Sequence, residues 1–536
     1  MQVDDVTAGS AAPRVVAHPD GRVELALDAA GEKALEAKGL CNEDLLPVPL
    51  AKRHWTTWNF AALWISMAHC LTTYFYAAGL IQGGMDWKQA LLTIAVGNVI
   101  VLVPILLNSH PGTKYGIPFP VFARAAYGTV GANLPALMRA FVACGWFGIQ
   151  CWIGGKAVHE LFRAIYPGWT DLLGTVPLDS IFAGDPAHPV AWTQFVSFLI
   201  FWAMNIWIIV RGMDLLRAVE NWAAPFVLVM TAILLGWAVN RAGSLGAILE
   251  QPSHFKTTGA FLAAFVPGVT GMIGYWATLS LNMSDFTRYG QSQRSQAWGQ
   301  ILALPTTMTG FAAMGVIITS ATIVIFGSAI WDPLDLVEKF NSRIIAAVIT
   351  FTVVVATLAV NIAANVVSPA NDFSNAFPRA ITFRTGGVIT GVLGILCLPW
   401  KLLANPALYI NGWLIGYSGG LASIAGVLIA DYWIVRRRRL DLAALYEPAG
   451  RYRYGSGWSW PAVAATLLGC LVAWAYFIAK PFLPAESRLL GILAIGYNYC
   501  WFVGLGVSMV AYLALSRLAS SVAESARNLP EPASPG

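Results

Sequence analysis

Apolar runs of about 20 residues recur along most of this 536-residue chain, and they constrain its fold more than any other feature. A helix of that length crosses the hydrocarbon core of a bilayer. Only 11% of the residues are charged, against roughly 25% in ordinary soluble domains. Because a helix satisfies its own backbone hydrogen bonds in lipid, we predict an all-α polytopic membrane protein.

Twelve transmembrane helices are predicted, an even number that places both termini on one side of the membrane. The gaps between spans on the N-terminal face hold most of the arginines and lysines, including Lys52, Arg53 and the run Arg436–Arg439. The positive-inside rule therefore predicts that both termini are cytoplasmic, and it favours a stop-transfer anchor as the role of the arginine run. The predicted spans lie near residues 58–82, 88–107, 133–161, 192–211, 222–240, 260–283, 300–328, 344–368, 386–402, 408–430, 461–479 and 489–514.

The net charge and the cysteines exclude several classes of partner. The net charge of +5 comes from these basic gaps, so nucleic acid is not expected as a partner. The seven cysteines are scattered, mostly within apolar runs, which predicts neither a disulfide framework nor a zinc site. The polar start of the chain also lacks the apolar core of a cleavable signal peptide.

A proline and three glycines fall between residues 267 and 274 of the sixth span. They weaken the helix there, although its backbone must still be satisfied in lipid. In secondary transporters, interrupted helices line the binding site and come in pairs from two inverted repeats. With five helices in each repeat the partner is the first span, where Ser66, His69 and Cys70 are the polar signal.

The third span carries Trp146 and Gln150, which are four residues apart and share one helix face. An aromatic plate beside an amide that donates and accepts hydrogen bonds suits a flat ligand with alternating N–H and C=O groups. The alternative is purely structural, with the tryptophan packed against glycine-lined neighbours and the amide bonded to another helix.

Two further segments place polar or aromatic groups at membrane depth. Tyr275 and Trp276 follow the glycine-rich stretch, and a tryptophan there can stack on the face of a ring. Asn361 and Asn365 share a face of the eighth span, where they are equally compatible with interhelical hydrogen bonding and with substrate contact.

Titratable groups in the first and third spans are candidates for ion coupling. His69 lies mid-span, where a histidine can carry a proton or serve as a hydrogen-bonded structural imidazole. Lys156 and Glu160 are four residues apart near the outer end of the third span, a spacing that predicts an ion pair between them.

Taken together, these segments resemble the nucleobase:cation symporter-1 family, and in particular its hydantoin and allantoin permeases. The resemblance covers residues from about 43 to about 515. It implies a five-plus-five inverted-repeat, LeuT-like fold with two added C-terminal helices and transport by alternating access. The matching stretches include Leu63-Trp64, Gly112-Thr-Lys-Tyr-Gly-Ile-Pro-Phe-Pro120, Trp146-Phe-Gly-Ile-Gln-Cys-Trp152, Ser284-Asp-Phe-Thr-Arg-Tyr289, Asn361-Ile-Ala-Ala-Asn-Val-Val-Ser-Pro-Ala370 and Asp431-Tyr-Trp-Ile-Val-Arg-Arg-Arg-Arg439.

On this reading the chain divides into four parts. Residues 1–50 are a cytoplasmic N-terminal tail and 51–435 the ten-helix inverted-repeat transporter core. Residues 436–514 hold a cytoplasmic loop with helices 11 and 12, and 515–536 are a cytoplasmic C-terminal tail.

The resemblance also implies roles for single residues. The family holds a planar ring between two tryptophans that correspond to Trp146 and Trp276, with amide contacts at Gln150 and Asn365. Two more positions are expected to shape the pocket, namely Tyr275 and Cys70, the latter replacing a glutamine of the hydantoin transporter.

The sodium site of that transporter is depleted in this sequence. It uses backbone carbonyls that correspond to Ser66, His69 and Ala356, and two hydroxyls whose positions hold Ala359 and Val360 here. A hard cation needs several oxygen ligands, and two of the expected ligands are missing here. The sequence thus does not identify a metal ion for this site. We therefore predict proton coupling, with His69 as a candidate carrier, and keep sodium as the alternative.

The predicted function is cation-coupled import of a planar nitrogen heterocycle such as allantoin, hydantoin or a pyrimidine nucleobase. The alternatives are an amino-acid or amine carrier of the same fold, whose unwound first helix would bind a carboxylate, and a vitamin carrier for thiamine or pyridoxine. No enzyme is predicted, because the short loops offer no acidic or metal-binding site. We expect no cofactor, and a monomer that spans the plasma or inner cell membrane.

Overall fold

The computed structural model describes residues 14–184, 189–211, 229–337, 339 and 342–519. Among them, eight helices are long and apolar enough to cross a membrane, and three shorter apolar helices accompany them. The first predicted span consists of two consecutive helices. All twelve predicted spans therefore contain helix, although the first part of the fifth lies outside the described residues.

Most described spans begin within three residues of the predicted limits, but the second and eighth end eight residues later than predicted and the sixth ends eight residues earlier. In chain order they are Thr57–Ala68 with Leu71–Gln82, Trp87–Tyr115, Asn133–Ile165, Trp192–Arg211, Val229–Arg241, Thr258–Tyr275, Gln293–Phe326, Arg343–Asn365 with Val367–Ala376, Phe383–Leu396, Leu408–Val435, Trp460–Ala473, and Arg488–Asn498 with Cys500–Leu518.

Shorter elements connect the spans. Two strands, Arg14–Ala17 and Val23–Ala26, pair antiparallel with Arg14 opposite Ala26. The connecting α-helices are Ala29–Ala37, Phe119–Tyr127, Leu245–Leu249, Leu279–Asn282, Ser284–Thr287, Pro333–Val337, Pro399–Leu402 and Ala475–Ala479.

The third and tenth spans form the centre of the bundle. In their most apolar stretches 83% and 94% of the residues are buried, more than in the other long spans. Glycines allow the close packing of the third span, since a Cβ at Gly155 would lie 2.4 Å from the Cα of Phe198 on the fourth span. Small residues at helix interfaces permit such contacts in membranes. Side chains that point inward from these two spans therefore face the middle of the protein.

The first span is interrupted where its polar residues predicted a break. One helix ends at Ala68 and the next begins at Leu71. Between them His69 has φ −82° and ψ 67°, and Cys70 has φ −136° and ψ 156°, so neither is helical. The interruption leaves backbone groups free of helical partners in the middle of the bundle.

The sixth span is also interrupted, but not in the glycine-rich stretch where a break was predicted. The helix continues through Pro267 to Tyr275 and ends at Trp276, and short helices follow it. The glycines serve packing instead: a Cβ at Gly274 would lie 2.5 Å from the carbonyl oxygen of Leu414 on the tenth span. The stretch is glycine-rich because another backbone passes beside it.

The N-terminal segment from residue 14 to residue 53 packs against the ends of the spans. The guanidinium of Arg53 donates hydrogen bonds to the carbonyl oxygens of Val48 at 2.7 Å and Val23 at 3.0 Å. Arg288, after the sixth span, donates to the carbonyl oxygen of Asp44 at 2.9 Å. Burial raises the pKa of the Cys41 thiol to about 11, which agrees with a packing role for this cysteine.

The arginine run after the tenth span is not uniform: its first member is buried in an ion pair, and the anchor role of the run stays a prediction. Arg436 is buried, and its Nε donates to Asp431 Oδ2 at 2.7 Å. The hydroxyl of Tyr512 donates to the other oxygen of Asp431 at 2.7 Å. The remaining arginines, 437 to 439, are exposed. Sequence position alone does not separate them, because Arg436 is also held by distant groups, the carbonyl oxygen of Ala125 and the hydroxyl of Tyr454.

The predicted Lys156–Glu160 pair is also wrong. The Nζ of Lys156 lies 2.5 Å from carboxylate oxygens of both Asp332 and Asp335. Glu160 pairs instead with Arg163, at 2.7 Å. The segment after the seventh span brings two carboxylates to the lysine, and a half-buried ammonium is attracted more strongly by two negative partners than by one.

Candidate substrate site

Trp146 projects from the third span into the middle of the bundle and is held by a chain of hydrogen bonds. Its indole Nε1 donates to the hydroxyl of Tyr417 at 3.0 Å. That hydroxyl donates to the carbonyl oxygen of Gly274 at 2.7 Å. The third, tenth and sixth spans are thus joined at the edge of this indole, and the edge cannot rotate without breaking hydrogen bonds in a buried environment.

Two aromatic rings of the tenth span surround the same indole. Tyr409 and Trp413 each lie edge-on to Trp146 with a centroid separation of 6.3 Å. Both belong to Leu408–Leu414, which is a π-helical start to the tenth span. Such π-helical turns are rare and occur frequently at functional sites. The sequence gives no sign of the turn.

Trp276, the second predicted stacking residue, is held in place by side chains of the first and second spans. Its Nε1 donates to Asn98 Oδ1 on the second span at 2.9 Å. Its ring lies edge-on to Trp64 of the first span, 5.1 Å away. Like Trp146, it is therefore held in a defined position by contacts within the protein itself.

The ring of Tyr275 contacts both tryptophans. Its centroid lies 5.1 Å from Trp146 at an interplanar angle of 66°, and 4.8 Å from Trp276 at 72°. Edge-to-face pairs at these separations are favourable. In this structure the two indoles are thus bridged by a side chain of the protein itself.

The hydroxyl of Tyr275 reaches the interruption of the first span. It lies 3.0 Å from Cys70 Sγ, 2.7 Å from Thr72 Oγ1 and 3.1 Å from Thr73 Oγ1. Thr72 and Thr73 were missed by the sequence analysis. Their position directly after the predicted break was an available signal, because hydroxyls there project into the gap between helices.

Gln150 shares the face of Trp146, as predicted, and is only partly satisfied. Its Nε2 donates to Thr72 Oγ1 over a long 3.4 Å. Its Oε1 is buried without a hydrogen-bond partner, and the side chain is 3% exposed. An unpaired buried acceptor costs about 1–3 kcal/mol. The site therefore holds an acceptor that a ligand N–H would satisfy.

Asn365 takes part in a ladder of amides on the eighth span. Its Nδ2 donates to Asn361 Oδ1 at 3.0 Å, and Asn361 Nδ2 donates to Asn205 Oδ1 at 3.2 Å. Asn361 therefore has the interhelical role that the sequence left open. Asn365 is the end of the ladder and the last residue of its helix. The side-chain oxygen of Asn361 accepts a hydrogen bond within the ladder, whereas that of Asn365 does not.

The predicted coupling-ion region lies where the first and eighth spans meet. His69, Ala356 and Thr357 line one cavity of about 80 Å³. The His69 ring donates through Nδ1 to the carbonyl oxygen of Ile65 and lies edge-on to Phe311, 4.9 Å away. Thr357 was not predicted, and it lines this cavity beside Ala356, together with Thr231 and Thr352.

The remaining predicted members of this region have little exposed surface. Ser66 is half-buried on the last turn before the interruption, Ala359 is buried and Val360 is half-buried. Among the described residues there is no cluster of three or more His, Cys, Asp or Glu side chains that could hold a metal ion.

Two interrupted helices on either side of a buried aromatic and polar centre define a secondary transporter of the alternating-access class. The chain belongs to the family of permeases for cytosine/purines, uracil, thiamine and allantoin, whose sequence profile matches residues 47–504. This family assignment confirms the predicted family and excludes an enzyme as the class of protein.

Relatives in bacteria and plants agree. The chain is 39% identical to the allantoin permease of Bacillus subtilis (strain 168), over 91% of this chain and 95% of that protein. It is 36% identical to the purine-uracil permease NCS1 of Arabidopsis thaliana, over 89% of this chain and 78% of that protein.

Solved structures confirm the fold. The structure of Mhp1, a nucleobase-cation-symport-1 family transporter, in a closed conformation with bromovinylhydantoin bound, is 25% identical to this chain with a TM-score of 0.70, covering 91% of this chain and 96% of the other. An inward-facing conformation of Mhp1 is 23% identical with a TM-score of 0.69, covering 92% and 99%. The five-plus-five fold with two added helices is therefore confirmed.

Proposed function

We propose that this transporter imports a planar, neutral nitrogen heterocycle such as allantoin, hydantoin or a pyrimidine nucleobase. Trp146 and Trp276 would stack on the two faces of the ring. Gln150 and Asn365 would form hydrogen bonds with the N–H and C=O groups at its edge. The observation that carries the proposal is the unpaired Oε1 of Gln150 on the same helix face as Trp146. This oxygen would accept a hydrogen bond from an N–H group at the edge of a ring stacked on the indole.

The chemistry of the site favours a neutral ligand over the amino-acid, amine and thiamine alternatives. The groups around Trp146 are an amide, a thiol, hydroxyls and indoles, all of them neutral. An amine or a thiazolium would need a carboxylate partner in this buried region, because an unpaired charge there is costly. The names of the relatives, allantoin permease and purine-uracil permease, support the same class of ligand.

A competition screen on the purified protein tests the ligand class. We expect hydantoin, allantoin or uracil to displace a radiolabelled heterocycle with a Kd in the micromolar range, about −8 kcal/mol. Leucine, choline and thiamine serve as the competing classes. Displacement by one of these compounds, with no effect of the flat amides, would contradict the proposal.

For the coupling ion we propose the proton. The two positions at which the related hydantoin transporter has hydroxyls are Ala359 and Val360, while His69 lines a cavity beside the eighth span. In proteoliposomes, concentrative uptake should follow an imposed pH gradient and not a sodium gradient at fixed pH. His69→Gln should abolish this concentration but keep ligand exchange between the two sides, since exchange needs no net ion movement. Uptake that follows sodium at constant pH would refute proton coupling.

For the setting we propose the plasma or inner cell membrane, with both termini cytoplasmic and a monomer as the working unit. The even number of spans and the basic gaps on the N-terminal face support this orientation. The binding site lies within one chain, between its own third, sixth and tenth spans. A second copy is thus not needed to complete it.

A further inference from the structure

Tyr275 contacts both of the tryptophans that the proposed function assigns to the ligand. Its ring is edge-on to both indoles, at 5.1 Å and 4.8 Å. A ligand ring that stacks on both indoles needs carbon contacts of about 3.5–4.0 Å to each of them. Because the phenol already contacts both indoles, a ring stacked on the same two indoles would compete with it for space.

The hydroxyl of Tyr275 is bound as a substrate's polar edge would be. It contacts Cys70 Sγ, Thr72 Oγ1 and Thr73 Oγ1, at 2.7 to 3.1 Å. Thr72 is also the group that holds Gln150 Nε2, at 3.4 Å. The phenol therefore satisfies the first-span hydroxyls but leaves Gln150 Oε1 without a partner. A phenol has one O–H group and cannot bind both the first-span hydroxyls and Gln150 Oε1, whereas a ring with several N–H groups can.

The backbone allows this side chain to move. Tyr275 is the last residue of its helix, and Trp276 follows with φ −103° and ψ 5°, outside the regular helix. Helix ends open at lower cost than helix interiors. Trp276 is held by Asn98 and Trp64, so the phenol can leave while the neighbouring indole stays in place.

We infer that Tyr275 is an internal competitor of the substrate: its phenol takes the place of a heterocycle between Trp146 and Trp276 and must swing out before a ring can be stacked there. This inference rests on the proposed function. Its consequence is that the hydroxyl of Tyr275 opposes binding instead of contributing to it. Only molecules with the phenol displaced can bind, so the apparent Kd equals the intrinsic Kd divided by the fraction of such molecules.

Removing the Tyr275 hydroxyl distinguishes a tyrosine that competes with the ligand from one that binds the ligand. In Tyr275→Phe the ring remains, but its three polar contacts to the first span are lost, so displacement becomes easier. We expect the Kd for the heterocycle to fall by roughly 3- to 10-fold. A tyrosine whose hydroxyl bound the ligand would show the opposite change.

Two other tyrosines serve as matched controls. The Tyr417 hydroxyl orients the Trp146 edge, so Tyr417→Phe should raise the Kd. The Tyr497 hydroxyl donates to the carbonyl oxygen of Asn411 at 2.8 Å, away from both indoles. Tyr497→Phe should leave the Kd unchanged.

A second variant tests the occupied volume. Tyr275→Ala removes the competing ring, so the Kd for the heterocycle should fall below that of the wild type by at least as much as in Tyr275→Phe. A Kd equal to or higher than that of the wild type, in an alanine variant that is folded, would overturn the inference.

The measurement is equilibrium binding to the purified full-length protein, with whichever of radiolabelled hydantoin, allantoin and uracil the wild type binds most tightly. If the wild type binds none of the three, the proposed function fails. If the wild type binds and Tyr275→Phe binds equally or more weakly, the proposed function stands and the competition inference is overturned. A lower Kd in Tyr275→Phe alone among the three phenylalanine variants supports it.

Discussion

Trp146→Ala is expected to weaken heterocycle binding by roughly 5- to 150-fold. One stacking face is worth about 1–3 kcal/mol, and each 1.4 kcal/mol changes the Kd about tenfold. The substitution also removes the indole N–H that donates to the Tyr417 hydroxyl, so the side chain of Tyr417 is less well ordered at the site. Equilibrium binding of radiolabelled ligand to the purified protein measures the effect.

The exposed indole of Trp58 provides the control for this substitution. It is 70% exposed, so Trp58→Ala should bind ligand as the wild type does. Trp146→Phe retains an aromatic face and should fall between the wild type and the alanine variant. Equal Kd values for Trp146→Ala and the wild type, with both proteins folded, would contradict a stacking role for this indole.

Asp431→Asn is expected to cause the largest loss of stability, about 3–5 kcal/mol in the free energy of unfolding. Asp431 and Arg436 are each 1% exposed and lie 2.7 Å apart. Neutralising the carboxylate leaves a buried guanidinium without its counter-charge. Denaturant or thermal unfolding of the protein in detergent measures the change.

Arg439→Ala is the control for the ion pair, since Arg439 is exposed at the end of the same run. Its unfolding free energy should stay within about 0.5 kcal/mol of the wild type. If the four arginines acted only as a membrane anchor, Asp431→Asn would be nearly neutral. A loss of less than about 1 kcal/mol would contradict the structural role given to this pair.

Most of the fold was predictable from the sequence, because membrane spans are long and their apolar character is continuous. The break in the first span could be inferred from its polar residues and from the pairing of repeats. The position of the sixth-span break could not. Glycines weaken a helix and also admit a neighbouring backbone, and only the position of Leu414 against Gly274 shows that the second effect dominates here.

Charge pairing was the least predictable feature. Local spacing predicted a Lys156–Glu160 pair, but Lys156 contacts Asp332 and Asp335, more than 170 positions further along the chain. Spacing of four residues is worth only about 0.2–0.5 kcal/mol, so a distant pair of carboxylates outweighs it easily.

The candidate site was predictable in part. The shared face of Trp146 and Gln150 follows from helical periodicity. The bridging position of Tyr275 does not, since it depends on how the end of the sixth span meets the interrupted first span. For the same reason Thr72 and Thr73 gave only a weak signal.

An experimental structure with bound ligand tests the central claim most directly. We expect the heterocycle to lie between the indoles of Trp146 and Trp276, with ring contacts of about 3.5–4.0 Å to both, an N–H donated to Gln150 Oε1, and the phenol of Tyr275 displaced. A ligand bound away from both indoles, with Tyr275 still between them, would contradict the account.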